Sequence, residues 1–426
     1  MQEARNDVTC DDDSMEDGFV LVPSSSMRSL PAVVLAILLV GITACSAGAQ
    51  PEPPASTSAV SSSGPTSSTT AQPVSIPAPD ACARSALARM NLNQRAGQLM
   101  MVGVPANDPV GGYTELVPYA VGGVFLAGRS SAGAEVVGAA VTTLQVQGLN
   151  ATGTFLHVAA DQEGGLVQTL SGPGFSPIPD GVEQGRLSTT ELASQTAIWA
   201  GELAGAGITF NLAPVADTVP AGTGAANPPI GASDRQYGDD PQAVAAAVST
   251  VVTTLQGAGV DATIKHFPGL GRVTANTDTS TRAEDEQTTV DDLTLQPFSA
   301  GIQAGATAVM MSSASYPQLD PLNLAAFSPA VIGDLLRDQL GFTGVVVSDD
   351  LGNAVAVADI PLGERAVDFV AAGGDLVLTV DGADAEPMTS ALIARAVGDQ
   401  TFAARIDESA LRVLVSKQDS GLLVCG

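Results

Sequence analysis

Lys265-His266-Phe267-Pro268-Gly269-Leu270-Gly271-Arg272-Val273-Thr274-Ala275-Asn276-Thr277-Asp278-Thr279-Ser280 is the stretch on which the fold turns. The residues leading into it, Asp261-Ala262-Thr263-Ile264, alternate and read as a buried strand running through Lys265 and His266. Pro268 lacks a backbone N–H and ends the ladder. Gly269-Leu270-Gly271 continues as a loop dense in hydrogen-bonding groups. A Lys and a His side by side at a strand end, ahead of such a loop, can hold a polar ligand. A strand closed by a simple Pro/Gly turn accounts for the same residues, so the other strand ends decide.

Seven more short apolar runs read as strands: Leu99–Val104, Gly122–Gly128, Phe155–Asp161, Ile208–Asp217, Ala308–Ser313, Gly344–Asp350 and Leu376–Val380. Between them apolar residues recur at helical spacing, from Ala132 to Leu149, Thr190 to Ala206, Pro241 to Gly257 and Leu293 to Ala304. Ser328 caps a further helix reaching Leu340, with Pro329 at its first position. Eight strands mostly alternating with helices predict an α/β fold, a (β/α)8 TIM-type barrel. Continuous apolar runs suit parallel strands covered on both faces. A doubly wound sheet is the alternative, but no Gly-rich dinucleotide turn follows the first strand. In a barrel the active site lies at the C-terminal strand ends. Asp161, Asp217, Lys265, His266, Asp349 and Asp350 gather at those ends.

Composition narrows the class. The 426 residues are 45% hydrophobic and carry a net charge of −28 without a Lys/Arg-rich stripe, which excludes nucleic acid as a partner. An anionic membrane surface repels such a chain, so membrane attachment requires an anchor. The chain has two histidines, His157 and His266, too few for a His-rich metal site; His157 falls mid-strand and reads as core.

The N-terminal part supplies an anchor. Residues 1–26 read as a disordered acidic lead ahead of the expected start, Met27. Residues 27–45 combine a basic start, an apolar run shorter than a membrane span, and Ile42-Thr43-Ala44-Cys45. They read as a signal peptide ending in a lipobox, with Cys45 lipidated. Residues 46–80, rich in Ser, Thr, Pro and Ala, form a tether, and residues 81–426 the barrel domain. This predicts an extracellular, lipid-anchored monomer. Cys10 precedes the expected start, so Cys82 and Cys425, at opposite ends of an exported domain, are expected to form a disulfide.

Several carboxylates round a barrel mouth, with a Lys, a His and an Arg, suit a neutral polyhydroxylated substrate. Glycoside hydrolysis requires paired carboxylates; in the retaining form one attacks the anomeric carbon while a second group protonates the leaving oxygen. Composition and spacing alone lead to a barrel hydrolase or lyase acting on a polar substrate.

Five motifs carry a resemblance further: Asp161-Gln-Glu-Gly-Gly165, Leu212-Ala-Pro-Val-Ala-Asp217, Asp234-Arg-Gln-Tyr-Gly-Asp-Asp-Pro241, Lys265-His-Phe-Pro-Gly269 and Gly341-Phe-Thr-Gly-Val-Val-Val-Ser-Asp-Asp-Leu351. In this order they resemble the glycoside hydrolase family 3 β-N-acetylglucosaminidases of single-domain barrel type, and the C-terminal Cys-Gly is similar to actinobacterial lipoprotein members. The resemblance implies a β-N-acetylhexosaminidase of cell-wall saccharides that needs no cofactor. By position it implies Asp349 as nucleophile, and Asp161, Arg235, Lys265 and His266 as ligands of the terminal N-acetylglucosamine. It also implies Asp278 as the Asp of the loop that carries the acid/base. Departures from the family pattern are concentrated nearby. Leu270 replaces the first loop His, Ser280 the acid/base His, Ser313 a His after the sixth strand, and Leu166 and Thr169 two Arg. A hydroxyl does not exchange protons near neutrality as an imidazole does. This leaves Asp278, Glu284 or Asp285 as the acid. The alternative is a catalytically impaired sugar-binding lipoprotein.

Overall fold

The computed structural model describes residues 80–425. The acidic lead, the signal segment with Cys45 and the tether up to residue 79 lie outside the described residues.

Eight parallel strands close into a barrel in strict chain order: β1 Met100–Pro105, β2 Gly123–Ala127, β3 His157–Ala160, β4 Phe210–Asn211, β5 Asp261–Phe267, β6 Ala308–Met311, β7 Val345–Asp350 and β8 Leu376–Thr379, which pairs back onto β1. A helix follows each strand: Pro109–Leu116, Ala134–Thr152, Thr189–Gly205, Pro241–Gly257, Gln296–Gln303, Ala330–Gln339, Leu362–Ala372 and Ala385–Gly398. The expected (β/α)8 barrel is therefore the observed fold.

The strands are mostly apolar, away from the polar residues that form the site, because both faces are covered. Met101, Phe125, Ala159, Phe210, Met310, Val347 and Leu378 pack together inside the barrel. Their alternates, such as Met100, Val102, Val124, Val158, Val309 and Val346, join the larger core under the helices. Each such side chain contributes about 1.5–3 kcal/mol when fully buried.

Two elements differ from expectation. The fourth strand, expected over Ile208–Asp217, is regular only at Phe210–Asn211. Pro214 removes a ladder donor, and pairing resumes where Val215 faces Lys265. The helix after β6 begins as expected, with Ser328 Oγ accepting from the Val331 N–H at 3.1 Å, but it is wound as a π-helix over Ala330–Gln339. At the barrel's other end, helix Ala81–Arg89 meets the long helix Gln400–Asp419, with Ala83, Ala86, Met90 and Leu414 between them. A Cys82–Cys425 disulfide ties the same place, with Cα atoms 5.5 Å apart. His157 is buried at the start of β3, its Nε2 2.9 Å from Ser416 Oγ.

Candidate active site

A cavity of about 330 Å³ opens at the C-terminal strand ends. Asp161, Arg235, Lys265, His266, Asp278 and Asp349 all line it. The floor is apolar, from Phe125, Leu212, Met310 and Leu378, and Asp350, Asn276 and Thr277 complete one wall. Six residues separated by up to 188 positions in the chain (Asp161 to Asp349) thus share one concavity.

The polar wall is a relay of ion pairs and hydrogen bonds. Lys265, 2% exposed on β5, places Nζ 2.6 Å from Asp161 and 2.5 Å from Glu163. Glu163 in turn accepts two bonds from Arg235, at 2.9 Å from Nε and 2.7 Å from Nη2. Arg235 also donates to the Pro229 carbonyl at 2.7 Å. Its Nη2 lies 3.4 Å from His266 Nε2, and His266 Nδ1 lies 2.8 Å from Asp217 Oδ2. A guanidinium has no acceptor, so Nε2 must accept and the imidazole proton sits on Nδ1, donated to Asp217. Asp217 is fully buried and also accepts from the backbone N–H of Leu270 at 2.6 Å, which pins the start of the loop.

Burial opposes the charge on Glu163, but Arg235 and Lys265 outweigh it and hold the carboxyl well below the usual carboxylate range. Burial likewise opposes the charge on Lys265, and Asp161 and Glu163 reverse it, raising its pKa. Glu163 and Lys265 are therefore held in their charged forms. Lys265 and His266 reach the cavity with side chains already oriented by protein partners.

The two carboxyls on the far wall differ from this. Asp350 is pushed up to about 6 by burial, although its Oδ1 accepts from the backbone N–H groups of Gly352 and Val380 at 2.9 and 3.2 Å. Asp349 beside it accepts from the Asp350 N–H at 2.9 Å and faces the cavity. Asp278 belongs to an exposed stretch of loop, yet the protein around its carboxyl, and then the negative charge of Asp349, raise its pKa. A carboxyl made reluctant to ionise, sharing a cavity with a second carboxyl, is the arrangement of a proton donor and a nucleophile.

The other candidate acids stand elsewhere. Asp285 is 2% exposed and spends its oxygens on the Gln287 and Thr288 N–H groups and the Thr288 hydroxyl. Glu284 lines a separate cavity, as does Ser313, and Ser280 Oγ accepts from the Arg282 N–H. Leu166 is 65% exposed at the turn of the Gln162–Gly164 and Val167–Gln168 ribbon, its carbonyl held by Arg129 Nη2 at 2.5 Å. Thr169 is buried, its N–H donating to the Asp161 carbonyl at 2.9 Å.

Glu163, the carboxylate that links Lys265 to Arg235, is not among the residues expected from the sequence to form the site. The signal was present: Glu163 stands two positions after Asp161, which in extended chain puts both carboxyls on one face. Asp217 was noted as a strand-end acid, and the structure shows it orienting His266.

With this geometry in view, the likeness to known proteins is informative. Residues 91–415 match the family described as Glycosyl hydrolase family 3 N terminal domain. A β-N-acetylhexosaminidase from Beutenbergia cavernae is 46% identical, with a TM-score of 0.75 over 78% of this chain and 99% of that one. A family 3 β-N-acetylglucosaminidase from a Paenibacillus species is 30% identical, with a TM-score of 0.70 over 78% of this chain and 63% of that one. A β-hexosaminidase of Stenotrophomonas maltophilia is 40% identical over 232 residues, which are 52% of this chain and 66% of that protein. The match over 91–415 takes in all eight barrel strands and every residue of the relay, and the chain belongs to glycosyl hydrolase family 3.

Proposed function

We propose that the protein is a retaining β-N-acetylhexosaminidase that removes terminal β-linked N-acetylglucosamine from cell-wall-derived saccharides. The observation that carries this reading is the shared cavity of Asp349 and Asp278, one carboxyl placed to attack and one biased toward its protonated form. Asp349 attacks the anomeric carbon, forming a glycosyl ester as the bond to the leaving oxygen breaks. Asp278 gives that oxygen its proton. Water then attacks the ester, returning its proton to Asp278 and releasing the sugar. Asp161, Lys265, Arg235 and His266 hold the sugar's hydroxyl groups through groups whose charges and tautomer the relay has fixed.

Asp278 supplies a donor, which supports catalysis over the impaired sugar-binding reading. The Ile42-Thr43-Ala44-Cys45 motif supports an extracellular, lipid-anchored enzyme, and the Cys82–Cys425 bond fits the oxidising compartment this requires.

The test is hydrolysis of an aryl β-N-acetylglucosaminide by the purified protein and two variants across pH. Asp349→Asn should lose on the order of 10³-fold or more in kcat. Asp278 acts protonated, so kcat/KM should fall as pH rises through its raised pKa, and Asp278→Asn should remove that limb. Turnover by the wild type that is unaffected in both variants contradicts the assignment.

A further inference from the structure

The segment that leaves the strand of Asp349 also touches the loop of Asp278. Residues 351–361 join β7, which ends in Asp349-Asp350, to the helix Leu362–Ala372. Midway along them Val355 donates its N–H to the Asp278 carbonyl at 3.4 Å, and Ala356 donates to the Thr277 carbonyl at 3.0 Å. Thr277 is buried, which shields the second bond from water. The chain that carries Asp349 therefore meets the backbone of Asp278 six positions later, at Val355.

Arg365 clamps this segment. It is buried near the start of the helix Leu362–Ala372 and forms no ion pair among the described residues. A cation at that place opposes the helix dipole, and burial disfavours its charge, lowering its pKa. The guanidinium is met instead by backbone carbonyls from both ends of the segment. Nη1 donates to Leu351 at 2.7 Å and to Gly352 at 2.6 Å; Nε donates to Ile360 at 2.8 Å and Nη2 to Ala358 at 3.4 Å. The charges of Asp384 and Asp350 favour it from further away. Only a rigid fork of N–H groups can join two ends of a loop in this way; a Lys ammonium, a single point of charge, cannot.

A brace for the fold alone would account for a buried Arg on carbonyls. The place of the contact with Asp278 argues for more. Burial of Leu351, Ala354 and Val357 sets how deep the segment lies. The Arg365 bonds set the separation of its ends, and so the path of the turn between them, where Val355 and Ala356 meet the acid loop. A proton donor must come within about 2.6–3.2 Å of the leaving oxygen, and a misplacement of about 1 Å can cost on the order of 10²-fold in rate. We infer that Arg365 is a positioning residue for the acid: by joining both ends of the segment after β7, it fixes where Asp278 stands relative to Asp349. The inference rests on the proposed roles of Asp278 as proton donor and Asp349 as nucleophile.

The experiment measures kcat/KM across pH for 4-nitrophenyl and phenyl β-N-acetylglucosaminides in the wild type and Arg365→Lys. A nitrophenolate leaves with little help from an acid; a phenolate needs it. With the phenyl glycoside Arg365→Lys should lose on the order of 10²-fold, and with the 4-nitrophenyl glycoside less than about tenfold. The high-pH limb should also move to lower pH, because an Asp278 displaced from the protein around it and from Asp349 loses what raises its pKa. Losses equal on both substrates, an unmoved limb, or unchanged kinetics would show that Arg365 only braces the fold, and would overturn the inference. Should Arg365→Lys fail to fold, Val355→Pro makes the same test. Val355 opens a 3-10 turn and Ala354 before it is extended (φ −60°, ψ 124°), so proline fits the backbone while replacing the N–H that meets the Asp278 carbonyl. It should show the same preference for the better leaving group. Failure of the underlying reading is seen separately: the wild type would cleave neither glycoside, or its high-pH limb would persist in Asp278→Asn.

Discussion

Glu163 sits where the charges of the site balance. It is 9% exposed, and its carboxylate is shared between Lys265 and Arg235, two of the four residues assigned to the sugar. Without it, among the described residues, Arg235 keeps no carboxylate partner within ion-pair distance, and Lys265 keeps only Asp161. Breaking a buried pair from one side costs about 3–5 kcal/mol because the remaining charge is left uncompensated. Glu163→Gln should therefore lower stability by a few kcal/mol in denaturant titration and reduce kcat/KM through loss of sugar binding. A variant with wild-type stability and kinetics would show that the relay is dispensable. In contrast to Lys265-His266, this residue is marked in the sequence only by its spacing of two from Asp161. Strand-end polar residues are visible because they interrupt apolar runs. A residue that only orients others becomes visible when the partners, Arg235 and Lys265, are placed beside it.

At the scale of elements, the barrel was legible because doubly covered parallel strands leave unbroken apolar runs, and turns of Gly and Pro separate them. The fourth strand was read too long, since Leu212, Val215 and Ala216 are buried and apolar as a strand would be. What shortens the regular part is Pro214, together with the turn of the chain toward Asp217. The π-winding of Ala330–Gln339 has no signature in its apolar spacing. The loop after β5 depends on close approach: a Cβ added at Gly271 would stand 1.9 Å from the Thr218 carbonyl oxygen. That contact fixes how the chain leaves Asp217 and so where Asp278 comes to lie. Gly271→Ala should displace the loop, lowering kcat more than it raises KM while leaving the barrel's circular dichroism intact. Wild-type kcat in this variant would show that the loop's path is set elsewhere. Asp278 itself was legible as a candidate acid; its separation from Glu284 and Asp285 was not, because spacing alone does not show that Glu284 lines another cavity and that Asp285 is buried against Gln287 and Thr288.

Across the whole molecule, the two ends of the barrel do different work. The strand C-termini hold the chemistry, while at the other end the terminal helices and the Cys82–Cys425 bond close the fold. Lys417 lies in this closing layer, fully buried, its Nζ bonded to Gln98 Oε1 at 2.8 Å and Thr154 Oγ1 at 3.2 Å. Burial lowers its pKa to about 7. Between pH 7 and about 10.4 the unfolded chain therefore binds a proton that the folded chain does not, so stability rises with pH across that window. The full rise is at most about 5 kcal/mol. Lys417→Met should flatten the stability–pH curve above pH 7 relative to the wild type; an identical slope in both would show that Lys417 stays charged when buried. The account's central claim concerns the opposite end, that Asp349 attacks the sugar and carries it covalently. A 2-fluoro glycosyl donor with a good leaving group slows release of the intermediate, and peptide mapping of the trapped protein locates the sugar. Label on Asp349 is the predicted result; label on Asp278, Asp350 or any other residue would contradict it.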